Sequence, residues 1–273
     1  RDAGAALSTH PLVNQIVFTG SVPTGIAIAT AAARNVVPCV LELGGKSAAI
    51  VHDDADLDSF ETDVRWGIYF NAGQVCSAMS RVIAHESIHD ELVERMVGVA
   101  QSLTVKPGID QPDFGPTMGA MVSEVQRDRA AEIVTAAQGE GAQVATGGRK
   151  LNIPGAFLEP TIVTGVTPDM TIANEEVFGP VLSVLKFSSD TDAIKIATGP
   201  PYGLVGGVFT RNLDRATTAA RKLRAGQVFV NEWYAGGVET PFGGYGKSGY
   251  GREKGREALW NYVQTKNVAI KLG

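Results

Sequence analysis

A chain of 273 residues, 44% apolar and 19% charged, can bury a sizeable core as one large domain or two modest ones. Its net charge of −5, with Lys and Arg scattered along the sequence, argues against nucleic acid or an anionic membrane as partner. Two cysteines, Cys39 and Cys76, suggest no disulfide framework and suit a reducing, cytoplasmic compartment, and the longest apolar runs fall short of a membrane span.

Short β-branched runs alternate with helical periods and glycine turns, which predicts an α/β fold with a mostly parallel sheet flanked by helices. The opening RDAGAALSTHPLV has neither the charged head nor the apolar core of a signal peptide; it lacks an initiator Met and reads as the interior of a longer protein. Residues 14–19 read as a strand, followed by Gly20 and an Ala-rich helix over 24–33. A second strand over 36–43 ends at Gly44-Gly45, and a third covers 47–51. Leu57, Phe60, Val64 and Ile68 recur at helical spacing, with Asp54 or Asp56 available as cap. That helix is expected to end near Asn71-Ala72-Gly73, which puts Cys76 just beyond it. A strand over 81–84, helices over 87–103 and 118–138, and strands over 181–187, 207–210 and 227–231, separated by helices, complete the pattern. The tail, 262–272, reads as an exposed strand available for pairing between subunits.

Three features carry chemistry. Cys76 lies in NAGQVCSAMS; a thiolate is a strong nucleophile, and Gly73, Ser77 and Ala78 are small enough for a carbonyl to approach the sulfur. Cys39, inside VVPCVLEL, reads as a core residue. Glu42 interrupts an apolar strand directly before a glycine turn, where a carboxylate either reaches a cleft and activates water or faces solvent as an end-of-strand charge. Glu175 and Glu176, beside Phe178-Gly179-Pro180, either hold ribose hydroxyls or form a plain acidic loop. A fourth pattern, H-E-x-x-H at His85 and His89, matches a zinc motif. The context is against it: a strand runs into His85, Ser87-Ile88-His89-Asp90 reads as a capping box, and His10 and His52 are distant in sequence. No metal site is expected.

In chain order, FTGS (18–21), LELGGKS (41–47), GQVCSA (73–78), EEVFGPV (175–181) and PFGGYGKSGYGREKG (241–255) together resemble the signature segments of the aldehyde dehydrogenase superfamily. The resemblance runs the length of the chain. It implies NAD(P)-dependent oxidation of an aldehyde to a carboxylic acid. Cys76 would be the nucleophile that forms a thiohemiacetal and, after hydride leaves to the nicotinamide, a thioester. Glu42 would activate the water that hydrolyses it, and the Cys76 N–H would supply half of an oxyanion hole. Glu176 is similar to the family's ribose-binding glutamate and Phe178 to its aromatic neighbour. Ser21, at a helix N-terminus after Gly20, is similar to a pyrophosphate contact, with Leu43 and Gly44 also on the cofactor side. Phe70, Val75, Ser77, Phe242 and Trp233, with Tyr234 as an alternative at the mouth, would line the aldehyde tunnel, and these side chains favour an apolar or aromatic aldehyde.

Family chains are nearly twice this length, and the absent upstream part would carry most of the cofactor domain. The resemblance thus implies a remnant of the NAD(P)-binding domain over 1–44, a catalytic domain over 45–260 and an oligomerisation strand over 261–273, in a homodimer or homotetramer. Pro23 and Gly246 depart from the acidic residue and the lysine common at those places. The chemistry also leaves open a cofactor-independent cysteine acyl transferase or esterase, and a non-enzymatic structural use of the fold.

Overall fold

The computed structural model describes residues 2–108 and 117–273. The chain opens with α1 (Asp2–Thr9), β1 (Ile16–Thr19), α2 (Val22–Ala33) and β2 (Cys39–Glu42). There follow β3 (Ala48–Val51), α3 (Leu57–Tyr69), a 3-10 turn over Phe70–Gly73, β4 (Arg81–His85) and α4 (His89–Gln101). Short β5 (Thr104–Val105) and β6 (Thr117–Met118) lead to α5 (Glu124–Gly139), β7 (Gln143–Thr146), β8 (Thr161–Thr164) and α6 (Thr171–Asn174). Last come β9 (Val181–Phe187), α7 (Asp190–Thr198), β10 (Val205–Phe209), α8 (Leu213–Lys222), β11 (Gln227–Val230) and β12 (Gly249–Tyr250).

Seven strands form the main sheet in the order β11-β10-β3-β4-β9-β8-β7, parallel throughout except for the antiparallel edge strand β7. Its central strands are buried on both faces, so β3 reads AAIV and β9 VLSVLKF without polar alternation. Helix starts follow local chemistry: Asp56, Ser123, Ser189 and Asn212 each accept a backbone N–H from the first turn of α3, α5, α7 and α8. A second sheet, β1-β2-β12, joins the first two strands to a segment from near the C-terminus, Gly249 pairing antiparallel with Glu42. No described helix is long and apolar enough to cross a membrane.

Arg81, first residue of β4, is 2% exposed. Its guanidinium donates to the carbonyls of Lys46 (3.0 Å), Ile196 (2.9 Å) and Ala197 (2.7 Å). It thereby ties the entry to β3 to the last turn of α7, where a helix leaves carbonyls unpaired.

Three sequence expectations need correction. Met118 belongs to β6, and the helix expected from it begins at Glu124, where Ser123 supplies the cap. Ser87 does not cap α4: its hydroxyl is paired with His85 Nδ1 at 2.8 Å, and the helix starts after an uncapped Ile88. The second strand is shorter than expected, because Val36 sits in a turn at φ 56°. The tail over 263–273 pairs with no strand of its own chain, and Val268, Ile270 and Leu272 are exposed there; its expected pairing between subunits is not among these corrections. Strands β7 and β8 were not anticipated.

Candidate active site

The loop between β2 and β3 is the floor of the site. Gly20 N–H donates to the Glu42 carbonyl at 3.0 Å, and Leu43 N–H to the Ser248 carbonyl at 3.0 Å. Ser248 is buried; its hydroxyl donates to the Gly44 carbonyl at 2.7 Å and accepts the Gly203 N–H at 3.0 Å. Gly45 N–H donates to Glu176 Oε1 at 3.0 Å, and a side chain at Gly44 would meet the Glu176 carboxylate. Glycine at 44 is therefore a requirement of close approach.

Glu42 ends β2 with its side chain 2% exposed, and neither carboxylate oxygen has a hydrogen-bond partner. Burial pushes its pKa up to about 8; nearby Glu253 acts in the same direction and Arg252 opposes it. The solvent-facing alternative for this residue is excluded by that burial.

Cys76 follows the 3-10 turn in which Asn71, Ala72 and Gly73 are successively left-handed, at φ 51°, 53° and 70°. A side chain at Gly73 would strike the Gly179 carbonyl. Gln74 clasps the turn, donating to the Asn71 carbonyl at 3.0 Å and accepting the Val122 N–H at 2.8 Å. The Cys76 carbonyl packs against Gly45, 2.6 Å from where a Cβ there would stand. The half-buried thiol has its pKa raised, first by burial, then by Glu176 and by Glu42, against backbone N–H bonds from Ser77 and from Cys76 itself. Burial, with Glu176 and then Glu42 acting in the same direction, thus holds the thiol protonated at rest against the two N–H groups.

Fold and loops therefore bring Cys76, Glu42, Gly44 and Glu176 together. Leu43 packs on Gly25 of α2, so the helix rests on this loop. Ser21 caps α2, accepting Thr24 N–H at 3.4 Å. Phe178, at φ 52°, is 37% exposed, and its carbonyl accepts from Gln126 at 3.1 Å. A cavity of about 630 Å³ is lined by Phe70, Val75, Trp233 and Tyr234. Ser77 and Phe242 do not line it. Ser77 is buried and takes the Trp233 indole N–H on its carbonyl at 3.2 Å, and Phe242 bridges to Glu253 under the Lys254 ammonium.

Sequence reasoning missed Asp63, Trp66 and Glu232, which also line the cavity. The spacing of Ser59, Thr62, Asp63 and Trp66 on one face of α3 carried that signal. It also missed Ser248 and the buried Lys46, whose ammonium has no hydrogen-bond partner. Burial, with Arg81 nearby, brings the Lys46 pKa down to about 7 against the opposing pull of Glu176 and Glu175. His85 pairs with Ser87, and His89 Nδ1 lies 2.6 Å from Asp90. Among the described residues no group of three His, Cys, Asp or Glu is placed to hold a metal.

The sequence model of the aldehyde dehydrogenase family matches residues 1–268. This chain belongs to the aldehyde dehydrogenase family. It is 47% identical over 272 residues to an aldehyde dehydrogenase of Davidiella tassiana, covering 99% of this chain and 54% of that protein. It is 42% identical over 271 residues to human retinaldehyde dehydrogenase 3, covering 99% of this chain and 52% of that one. Among solved structures, an NAD-dependent aldehyde dehydrogenase from Sinorhizobium meliloti superposes with a TM-score of 0.94 at 41% identity, covering 99% of this chain and 53% of that one. A betaine aldehyde dehydrogenase mutant from Staphylococcus aureus, solved with NAD+ and a BME-modified cysteine, gives 0.92 at 37% identity, with 96% and 54% covered. The chain spans about half the length of the curated relatives it matches. The α/β fold with its mostly parallel, helix-flanked sheet is that of these aldehyde dehydrogenases.

Proposed function

We propose that this chain carries the thiol chemistry of NAD(P)-dependent oxidation of an aldehyde to a carboxylic acid, with Cys76 as nucleophile and Glu42 as base. The observation that carries the reading is the buried, unpartnered Glu42 carboxylate within electrostatic reach of the Cys76 thiol. A buried carboxylate without hydrogen bonds costs stability unless the site uses it. The BME-modified cysteine of the Staphylococcus aureus relative is consistent with a reactive thiol in this fold.

The residues on the page fit a nicotinamide cofactor. Gly44 and Gly45 leave a side-chain-free surface beside the Glu176 carboxylate, and Ser21 heads the twelve-residue helix α2, whose N-terminal N–H groups favour a phosphate. Gly20, Ser21, Leu43, Gly44, Glu176 and Phe178 would hold it. NAD+ or NADP+, when bound, supplies an acceptor for the hydride of the substrate. Cys76 Sγ, once deprotonated, adds to the aldehyde carbon to give a thiohemiacetal, whose oxyanion the Cys76 N–H stabilises. Loss of hydride leaves a thioester on Cys76. Glu42, ionised above its raised pKa, takes a proton from the water that adds to this thioester, and the acid departs as the thiol re-forms.

The same reading assigns residues 1–44 to the cofactor side, 45–260 to the catalytic domain and 261–273 to subunit pairing in a cytoplasmic homodimer or homotetramer. The test is reduction of NAD+ and NADP+ by this chain with aliphatic and aromatic aldehydes, beside Cys76→Ala. Turnover lost in the variant supports the reading. Ester hydrolysis with no nicotinamide dependence would replace it with acyl transfer.

A further inference from the structure

A second cavity lies between the entries to β3 and β4 and the segment after α7, where Lys46, Ser47, Arg81, Thr198, Tyr202 and Arg224 contribute to its wall. Its volume is about 20 Å³, room for one body the size of a water molecule. Among the described residues, those that line it include three cations and no Asp, Glu, Asn, Gln or His. Two of its polar side chains are buried and unpaired. Lys46 and Ser47 are 2% and 3% exposed, and neither the Lys46 ammonium nor the Ser47 hydroxyl has a hydrogen-bond partner. Arg81 and Thr198, by contrast, are engaged: the guanidinium donates to three carbonyls, and the Thr198 hydroxyl to the Ile194 carbonyl at 2.8 Å.

Lys46 and Arg81 bring two buried positive charges to one wall. The nearby Glu176 carboxylate accepts the Gly45 N–H and leaves the ammonium without a hydrogen bond. A buried ammonium and a buried hydroxyl that both lack an acceptor are costly to the fold. One small anion in the cavity would accept from both and offset the repulsion between Lys46 and Arg81. A water molecule would satisfy the hydrogen bonds but leave the charges unbalanced. A carboxylate or a tetrahedral oxyanion is too large for the space, so the size of the cavity selects a monatomic ion.

We propose that this cavity binds a chloride ion, held by the Lys46 ammonium and the Ser47 hydroxyl. Lys46 directly follows the Gly44-Gly45 pair on which Glu176 rests, so the ion would fix the floor of the active site where it enters β3. The inference does not depend on the chemistry assigned to Cys76.

The test is thermal unfolding of the full chain at pH 6 and constant ionic strength, with sodium chloride replacing sodium gluconate, whose anion is too large to enter. The midpoint should rise by about 2–5 °C per tenfold chloride once the site begins to fill, and bromide should act likewise. Lys46→Met keeps the bulk of the side chain without its charge. It should lose this dependence whether or not it is itself more stable. Ser47→Ala should raise the chloride concentration required about three- to tenfold. It leaves every charge in place and keeps the test open should Lys46→Met fail to fold. The charged groups facing Lys46 are Arg81 of β4 and Glu175 and Glu176 of the loop before β9. Burial and Arg81 bring its pKa down to about 7, while the two glutamates oppose them. Chloride should therefore bind more weakly as pH rises from 6 to 8 and the ammonium is lost. Crystals grown in bromide should show an anomalous peak beside Lys46 and Ser47. A midpoint indifferent to chloride, one equally dependent in Lys46→Met, or a cavity that takes up water and no bromide overturns the inference.

Discussion

The carboxylate of Glu176 rests on the glycine pair, accepting the Gly45 N–H at 3.0 Å and occupying the space a side chain at Gly44 would need. Gly44→Ala must therefore expel it. The variant should lose about 1–3 kcal/mol of stability in urea unfolding, the usual cost of overpacking a tight site. Its Cys76 should also alkylate faster, because one of the two carboxylates holding the thiol protonated has moved. Wild-type stability with wild-type alkylation would mean that the carboxylate is not fixed there.

Direct neutralisation makes the same point without a clash. Glu176→Gln should lower the Cys76 pKa and speed iodoacetamide labelling at neutral pH. Glu42→Gln should act in the same direction but less, and chiefly above about pH 8 where this carboxyl is ionised, Glu176 being the larger of the two charge effects. Peptide mass spectrometry separates Cys76 from Cys39, whose thiol is raised by burial alone. Identical rates in all three proteins would show that neither charge reaches the sulfur.

Glu42 links stability to pH with a definite sign. Its pKa is about 8 in the fold and roughly 4.3 in an unfolded chain, so folding takes up a proton between those values. The folded state then binds more protons than the unfolded one, and this group erodes stability as pH rises through that window. Urea unfolding of wild type relative to Glu42→Gln should show the difference widening from pH 5 to 8 and levelling above it. Parallel pH profiles would remove Glu42 as the titrating group.

Most of this architecture was legible because local and global signals agree. The apolar run of β3 and the helical spacing of Leu57, Phe60, Val64 and Ile68 each have one physical solution, and Asp56 caps α3 as its position suggests. Cys76 and Glu42 stood out as chemical anomalies in small-residue surroundings. What sequence could not give was juxtaposition. Ser248 looks like one more residue of a glycine-rich tail until its hydroxyl is seen bridging Gly44 and Gly203. Asp63 and Glu232 come from separate elements and become a pair only through the cavity. The Ser87 cap failed because His85 offered the hydroxyl a nearer partner.

Ser248→Ala strips the Gly44 carbonyl and the Gly203 N–H of a buried partner at once. It should cost about 1–3 kcal/mol per group left unsatisfied and reduce any Cys76-dependent turnover in parallel with the loosened loop. A variant as stable as wild type would mean water replaces the hydroxyl without loss.

The exposed Val263, Val268, Ile270 and Leu272 suit an intersubunit contact. Removal of residues 263–273 should lower the molecular mass seen by light scattering after size exclusion. An unchanged mass would assign assembly to another surface.

The bond from Ser248 to Gly44 spans 204 residues of sequence, and β12 reaches β2 across a similar interval. During synthesis, Cys76 and Glu42 leave the ribosome long before the segment that fixes the loop beneath them. For that interval the thiol is an ordinary cysteine without an organised partner. Order around the thiol arrives late, with the last stretch of chain, so an interrupted translation product carries Cys76 without the bonds that fix the loop beneath it.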